Sequence, residues 1–143
     1  AQRGEKITAI LANNTLYAMT GGQMAPTTLP GQKTGTTPYG REEAKTGLPM
    51  LGPELVAAIA PEGSYVARAT VGEYQQLKKY LQKALLNQMT GGGFSFVEVL
   101  STCPTNWRTN AKQTWAFLQG EMPRYFKVGE FRSAEVPSGE GEK

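Results

Sequence analysis

Apolar residues recur along this chain in short blocks separated by polar, glycine-rich connections. Ile7 to Ala12 is an aliphatic run that predicts a strand. It breaks into the amide pair Asn13-Asn14 and then into Thr20-Gly21-Gly22-Gln23. Ser64 to Thr70 predicts a second strand, and Phe94 to Leu100 a third. Between them, Leu77, Leu81, Ala84, Leu85 and Gln88 return at helical spacing, with Lys78, Lys79, Gln82 and Lys83 largely on the other side. This predicts a helix over Glu73 to Met89, ended by Gly91-Gly92-Gly93, whose lysines form a solvated face. Pro53 to Ala60 reads as a short helix with Leu55, Val56 and Ile59 on one side. Asn110 to Gly120 reads as another, with Trp115 and Leu118 inward. Pro123 to Phe131 is an extended apolar stretch suited to packing back on the body or docking on a partner. Residues 133–143, SAEVPSGEGEK, read as a disordered tail, which leaves 1–132 as the domain.

Strands alternating with helices predict an α/β fold with a parallel sheet and right-handed crossovers. A parallel sheet needs cover on both faces. Three strands are therefore too few, and further strands are expected from a preceding half of the domain or from neighbours. Residues 24–52 form a long loop rich in Thr, Pro and Gly, and such loops are usually functional or disordered.

Composition narrows the chemistry. The 143 residues suffice for one modest core, and a net charge of +3, dispersed along the chain, gives no support for nucleic-acid binding. No apolar run is long enough to span a bilayer and no signal peptide is seen, so a cytoplasmic protein is expected. There is one cysteine, which excludes an internal disulfide, and no histidine, the usual general base and zinc ligand. An enzyme built from this chain must use a cofactor's own chemistry or residues from another chain. The strand ending in amides and then glycines suits a phosphorylated ligand. The C-terminal edge of an α/β sheet is where ligands bind, consecutive N–H groups can cradle an anion, and amide and carbonyl oxygens can hold a hard metal. A glycine turn that binds nothing fits the same pattern.

The segment Asn13-Asn14-Thr15-Leu16-Tyr17-Ala18-Met19-Thr20-Gly21-Gly22-Gln23-Met24-Ala25-Pro26-Thr27-Thr28 resembles the cofactor segment of the β subunit of 2-oxoacid:ferredoxin oxidoreductases, which are thiamine-diphosphate enzymes. Gly93-Phe94-Ser95-Phe96-Val97-Glu98-Val99-Leu100 and Ser101-Thr102-Cys103-Pro104-Thr105-Asn106-Trp107 resemble the same family's C-terminal signature. The resemblance implies a parallel-sheet thiamine-diphosphate-binding fold, in its C-terminal half. It implies Mg²⁺ held by the Asn14 side chain and the Leu16 carbonyl. It places Asn13, Thr20, Gly21, Gly22 and Gln23 at the cofactor and Met19 close to the reactive ring. The 24–52 loop would lie over the cofactor and face a partner subunit. In relatives that carry a [4Fe–4S] cluster on this subunit, the cysteine matching Cys103 is one ligand. Such clusters generally need four thiolates, and the N-terminal cysteines that supply the others have no counterpart here. The family's Gly-Asp-Gly segment, whose Asp ligates Mg²⁺, has none before Ile7 either. The chain is thus expected to be a piece of a longer protein, or its metal site to be completed elsewhere.

The implied reaction is oxidative decarboxylation of a 2-oxoacid to an acyl-CoA, with electrons passed to ferredoxin. The implied partners are an α subunit and, in some assemblies, γ and δ subunits. No acid or base is assigned, because the activating glutamate comes from outside this region. The wording of residues 27–41 resembles the branched-chain, 2-oxoisovalerate type, with 2-oxoglutarate and pyruvate as alternatives, and no cation lies within Ala18 to Gln23 to pair a distal carboxylate. A second reading is a non-catalytic half-domain that docks but binds no cofactor by itself.

Overall fold

The computed structural model describes residues 1–133. Its main sheet has four strands. Strand β1 (Thr8–Asn13) runs parallel to β5 (Ser95–Leu100), which runs parallel to β4 (Tyr65–Thr70). The chain itself supplies a fourth strand, β6 (Gly129–Arg132), antiparallel to β4 with a register shift between Val66 and Ala67. The extended stretch expected over Pro123 to Phe131 is therefore corrected. Helix α6 (Met122–Tyr125) opens it, with Pro123 in its first turn, where its missing N–H costs nothing. Only the residues after Phe126 extend. The tail from residue 134 onward lies outside the described residues.

Side chains alternate across β4 and β5. On one face Tyr65, Ala67, Ala69, Val97 and Val99 pack against Tyr80 and Ala84 of helix α3 (Tyr74–Met89). The core face of α3 is rotated from the expected one. Leu77, Tyr80, Ala84 and Asn87 turn inward, while Leu85 is exposed, because the amide of Asn87 is needed inside. There it donates to the Gly63 carbonyl (3.1 Å) and the Ser95 hydroxyl (3.1 Å). On the other face, helix α2 (Gly52–Ile59) covers the centre of the sheet with Gly52, Pro53 and the carboxylate of Glu54. Its apolar stripe faces away: Leu55 and Ile59 are exposed.

A second core joins Leu29, Leu100, Leu118, Met122 and Phe126. Leu118 is buried as expected, but Trp115 is exposed. A π-helical turn over Phe117–Glu121 after α5 (Ala111–Ala116) shifts the register of that face, so the inward positions do not continue at regular spacing.

The 24–52 loop is ordered around Arg41. Its buried guanidinium donates to the carbonyls of Pro26 (2.9 Å), Thr28, Thr46 (3.1 Å) and Leu48 (3.0 Å). Burial lowers the Arg41 pKa, with nearby Glu43 opposing the shift. One short helix, α1 (Glu43–Thr46), lies within the loop.

Candidate functional site

The ends of β1 and β5 meet at the same edge, because Asn13 and Leu100 are register partners. The chain leaves β1 through Asn14 and a left-handed Thr15 (φ 66°), then forms a two-residue ribbon of β2 (Leu16–Tyr17) with β3 (Gln23–Met24). Between these short strands lies the Thr-Gly-Gly turn. After β5 the chain passes through Ser101 to Cys103 into helix α4 (Pro104–Trp107).

Two side chains staple these segments together. The Asn106 amide donates to the Ala18 carbonyl (3.3 Å) and approaches Cys103 Sγ (3.3 Å). The Trp107 indole N–H donates to the Asn14 carbonyl (3.0 Å). Gly22, at φ +73°, lies so close that a Cβ there would fall 2.8 Å from Asn106 Oδ1. From the third side, Gly35 donates its N–H to the Gly22 carbonyl (2.7 Å). The Asn13–Gln23 segment, the 24–52 loop and the Cys103 loop therefore form one unit, around a cleft of about 620 Å³ lined by Gly21, Gly22, Lys33, Asn106, Trp107 and Arg108. A smaller cavity of about 260 Å³ flanks Asn13 and Asn14.

The site residues differ in what they present. Asn14 is half-buried, and its side-chain oxygen accepts only a long bond from the Leu16 N–H (3.4 Å). Met19 is fully exposed and Thr20 and Gly21 are exposed, whereas Gly22 is buried. Gln23 clamps the turn, accepting from the Thr20 hydroxyl (2.6 Å) and donating to the Thr20 carbonyl. The glycine N–H groups are not the free anion donors expected from the pattern. Gly21 donates to Ala18 (3.4 Å) and Gly22 to Tyr17 (2.9 Å), so the turn uses them. The open donors precede them: the N–H groups of Ala18, Met19 and Thr20 find no acceptor among the described residues.

Asn13 is turned inward. Its Nδ2 donates to Glu98 Oε1 (2.9 Å), and its Oδ1 accepts from the Thr15 N–H (2.9 Å) and the Thr27 hydroxyl (2.9 Å). It supports the turn rather than facing a ligand. Glu98 and its cross-strand neighbour Arg68 are both fully buried and ion-paired. Arg68 is paired also with Glu54 (2.7 Å) and sits against the rings of Phe126 (5.4 Å) and Phe131 (5.1 Å). Burial pushes the Glu98 carboxyl up, against the pull of Arg68 and Asn13. Burial also opposes the charge on Arg68, but Glu54 and Glu98 outweigh it and raise its pKa. Sequence reasoning assigned no role to Arg68, Glu98, Asn106 or Trp107. The available signal was a charged residue in the middle of each of two apolar strands, YVARAT and SFVEVL.

The donor set suits Mg²⁺ and a diphosphate. Amide and carbonyl oxygens at Asn14 and Leu16 are hard ligands, and the N–H groups of Ala18, Met19 and Thr20 are open to an anion. It does not suit an iron–sulfur cluster. Cys103 is the chain's one cysteine, and among the described residues no three His, Cys, Asp or Glu side chains come together.

The profile described as "Thiamine pyrophosphate enzyme, C-terminal TPP binding domain" matches residues 1–99. The chain is 43% identical over 142 residues to ketoisovalerate oxidoreductase subunit VorA of Methanothermobacter thermautotrophicus, covering 95% of this chain and 29% of that protein. It is 46% identical over 107 residues to 2-oxoglutarate synthase subunit KorB of Archaeoglobus fulgidus, covering 75% of this chain and 36% of that one. A solved 2-oxoglutarate:ferredoxin oxidoreductase from Magnetococcus marinus, with 2-oxoglutarate, coenzyme A and succinyl-CoA bound, superposes with a TM-score of 0.69 at 25% identity, over 96% of this chain and 50% of that one. The chain thus spans between 29% and 50% of the length of these relatives.

Proposed function

We propose that this chain, which belongs to the thiamine pyrophosphate enzyme family as a C-terminal TPP-binding domain, is the cofactor-holding part of a 2-oxoacid:ferredoxin oxidoreductase β subunit. The observation that carries this reading is the joining of the Asn13–Gln23 segment to the Cys103 loop through Asn106 and Trp107. Both sequence signatures meet at one strand edge. Mg²⁺ would be held by the Asn14 side-chain oxygen and the Leu16 carbonyl. The diphosphate would take the open N–H groups at Ala18, Met19 and Thr20, with Gly21, Gly22 and Gln23 shaping the wall. When bound, thiamine diphosphate would supply the nucleophilic carbon and electron sink for decarboxylating a 2-oxoacid. This chain's residues bind, orient and enclose it. They include no histidine, and no acid or base is assigned to them.

Cys103 would supply one ligand to a [4Fe–4S] cluster only if the other thiolates come from outside this chain. The partners of the whole protein would be an α subunit, with γ and δ subunits in some assemblies, and ferredoxin and coenzyme A would complete the reaction. Exposed apolar side chains support docking: Ile10 and Leu11 on β1, an edge strand of the sheet, Ile7 just before it, and separately Leu55 and Ile59 of α2. No helix among the described residues is long and apolar enough to cross a membrane.

The substrate favoured by the loop wording is 2-oxoisovalerate. A specific observation favours 2-oxoglutarate instead: Lys33 and Arg108 both line the cleft beside Gly21 and Gly22, where either could meet a distal carboxylate. Ferredoxin reduction by the full-length protein in its native assembly, with CoA and each of 2-oxoisovalerate, 2-oxoglutarate and pyruvate, tests both points. Turnover with one of them is expected. Preference for 2-oxoglutarate that is lost in Lys33→Met or Arg108→Met decides for the second substrate. Failure with all three, in protein shown to contain thiamine diphosphate, contradicts the proposed activity.

A further inference from the structure

We infer that the buried carboxylate of Glu98, locked by Arg68, is a positioning residue that sets the conformation of the Asn13–Leu16 turn and so the two metal-ligand oxygens. The inference rests on the reading of Asn14 and Leu16 as Mg²⁺ ligands. Glu98 itself touches neither.

The argument begins with hydrogen-bond polarity. An ionised carboxylate accepts and never donates, whereas an amide has one end of each kind. Glu98 Oε1 therefore requires the NH₂ end of Asn13, at 2.9 Å. That choice turns the Asn13 oxygen toward the Thr15 N–H and the Thr27 hydroxyl, both at 2.9 Å. The Thr15 N–H can only donate, so the opposite orientation of the amide would set donor against donor there. Thr15 is the left-handed residue of the turn (φ 66°), a conformation that costs a β-branched side chain energy and needs support. The bond to Asn13 provides it. The Thr15 hydroxyl, held by Gln32 (2.7 Å), fixes the same residue from the loop side.

Arg68 leaves Glu98 no freedom to move. Its Nε pairs with Glu98, and Nη1 and Nη2 are taken by the Glu54 carboxylate (2.8 and 2.7 Å), with the Lys127 carbonyl also accepting from Nη1 (3.1 Å). Phe126 and Phe131 flank the guanidinium. A buried ion pair is seldom more stable than a well-packed apolar pair. Its distinctive contribution here is directional: it makes Glu98 an acceptor at one fixed point in the sheet. The path runs from the β4–β5 core through Asn13 to Thr15, and from there to Asn14 and Leu16.

The test uses full-length protein in the assembly it forms, with Mg²⁺ titrated calorimetrically at saturating thiamine diphosphate. Glu98→Gln keeps the volume but leaves one acceptor oxygen for two donors, Arg68 Nε and Asn13 Nδ2, so the hold on Asn13 is lost. Thr27→Val removes one donor from the Asn13 oxygen and leaves the ion pair intact. Each is expected to raise the half-saturating Mg²⁺ concentration about tenfold, the usual scale for supports of a metal ligand. Glu54→Gln breaks the far end of the network while keeping the Asn13–Glu98 bond. It is expected to lower the melting temperature and to leave the Mg²⁺ requirement within about twofold, well short of the change expected of a ligand support. A wild-type Mg²⁺ requirement in either Glu98→Gln or Thr27→Val overturns the inference, and so does an equal loss in Glu54→Gln. Should Glu98→Gln fail to fold, Thr27→Val decides. Wild-type protein that binds no Mg²⁺–thiamine diphosphate sinks the cofactor reading itself, an outcome distinct from these.

Discussion

Replacing Gly22 with alanine probes the joint between the Thr-Gly-Gly turn and the Cys103 loop. Gly22 has φ +73°, and its Cβ would stand 2.8 Å from Asn106 Oδ1, 3.2 Å from Cγ and 3.3 Å from Cβ. The left-handed conformation alone costs alanine about 1–2 kcal/mol. Asn106 must also swing away, giving up its bond to the Ala18 carbonyl, a further loss of about 0.5–1.5 kcal/mol. The expected total is about 2–3 kcal/mol, read from urea unfolding of the purified chain. The two contributions separate in a double-mutant cycle. In an Asn106→Ala background Oδ1 and Cγ are gone and only Cβ remains nearby, so Gly22→Ala should cost little beyond the backbone strain. A coupling of about 1 kcal/mol between the positions is expected. Gly21→Ala is the control: its φ is also positive at +107°, but the nearest atom to its Cβ is Gln23 Nε2 at 3.9 Å. It should show strain and no coupling to Asn106. Additive costs for Gly22→Ala and Asn106→Ala would refute the close packing of the two segments.

Arg41→Met should release the 24–52 loop, since the carbonyls of Pro26, Thr28, Thr46 and Leu48 lose their donor. Limited proteolysis should then cut within 26–48, and a variant as resistant as wild type contradicts the role of Arg41. Burial, aided by the charge of Glu130, raises the Tyr65 phenol well above its ordinary value. The unfolded chain ionises this group near about pH 10 while the folded chain does not. Its contribution to stability is therefore full below that pH and lost as pH rises past it. In an alkaline absorbance titration Tyr65 should ionise only together with loss of helical circular dichroism; a Tyr65→Phe protein that titrates like wild type below unfolding agrees, and one that lacks a phenol ionising before unfolding does not. Cys103→Ser in the full-length protein should lower its iron content, whereas full iron occupancy makes Cys103 a packing residue.

The sheet was legible because β1, β4 and β5 are apolar runs with glycine or amide residues close to one end, and they lie within a residue of their expected bounds. Strand β6 was not, because Gly129, Glu130 and Arg132 carry no alternating apolar pattern. Its place comes from pairing with β4 and from the Lys83–Glu130 bridge (2.7 Å). The faces of α2 and α3 followed from periodicity only in part. Leu55 and Ile59 look outward because the described chain puts nothing over them, and Asn87 looks inward because Gly63 and Ser95 supply partners. At the site, sequence reading found the turn and the loop as separate motifs. What joins them, Asn106 and Trp107, and what holds Asn13, Glu98 and Arg68, depends on contacts between residues some 30 to 93 positions apart. No local pattern encodes these.

The central claim is that the Asn13–Gln23 turn holds Mg²⁺–thiamine diphosphate. Calorimetric titration of the cofactor with Mg²⁺ into full-length wild-type protein and Asn14→Ala tests it directly. Saturable, Mg²⁺-dependent binding in the wild type, strongly weakened in Asn14→Ala, is the predicted result. Equal affinity in the two proteins, or no binding in the wild type, would contradict the account.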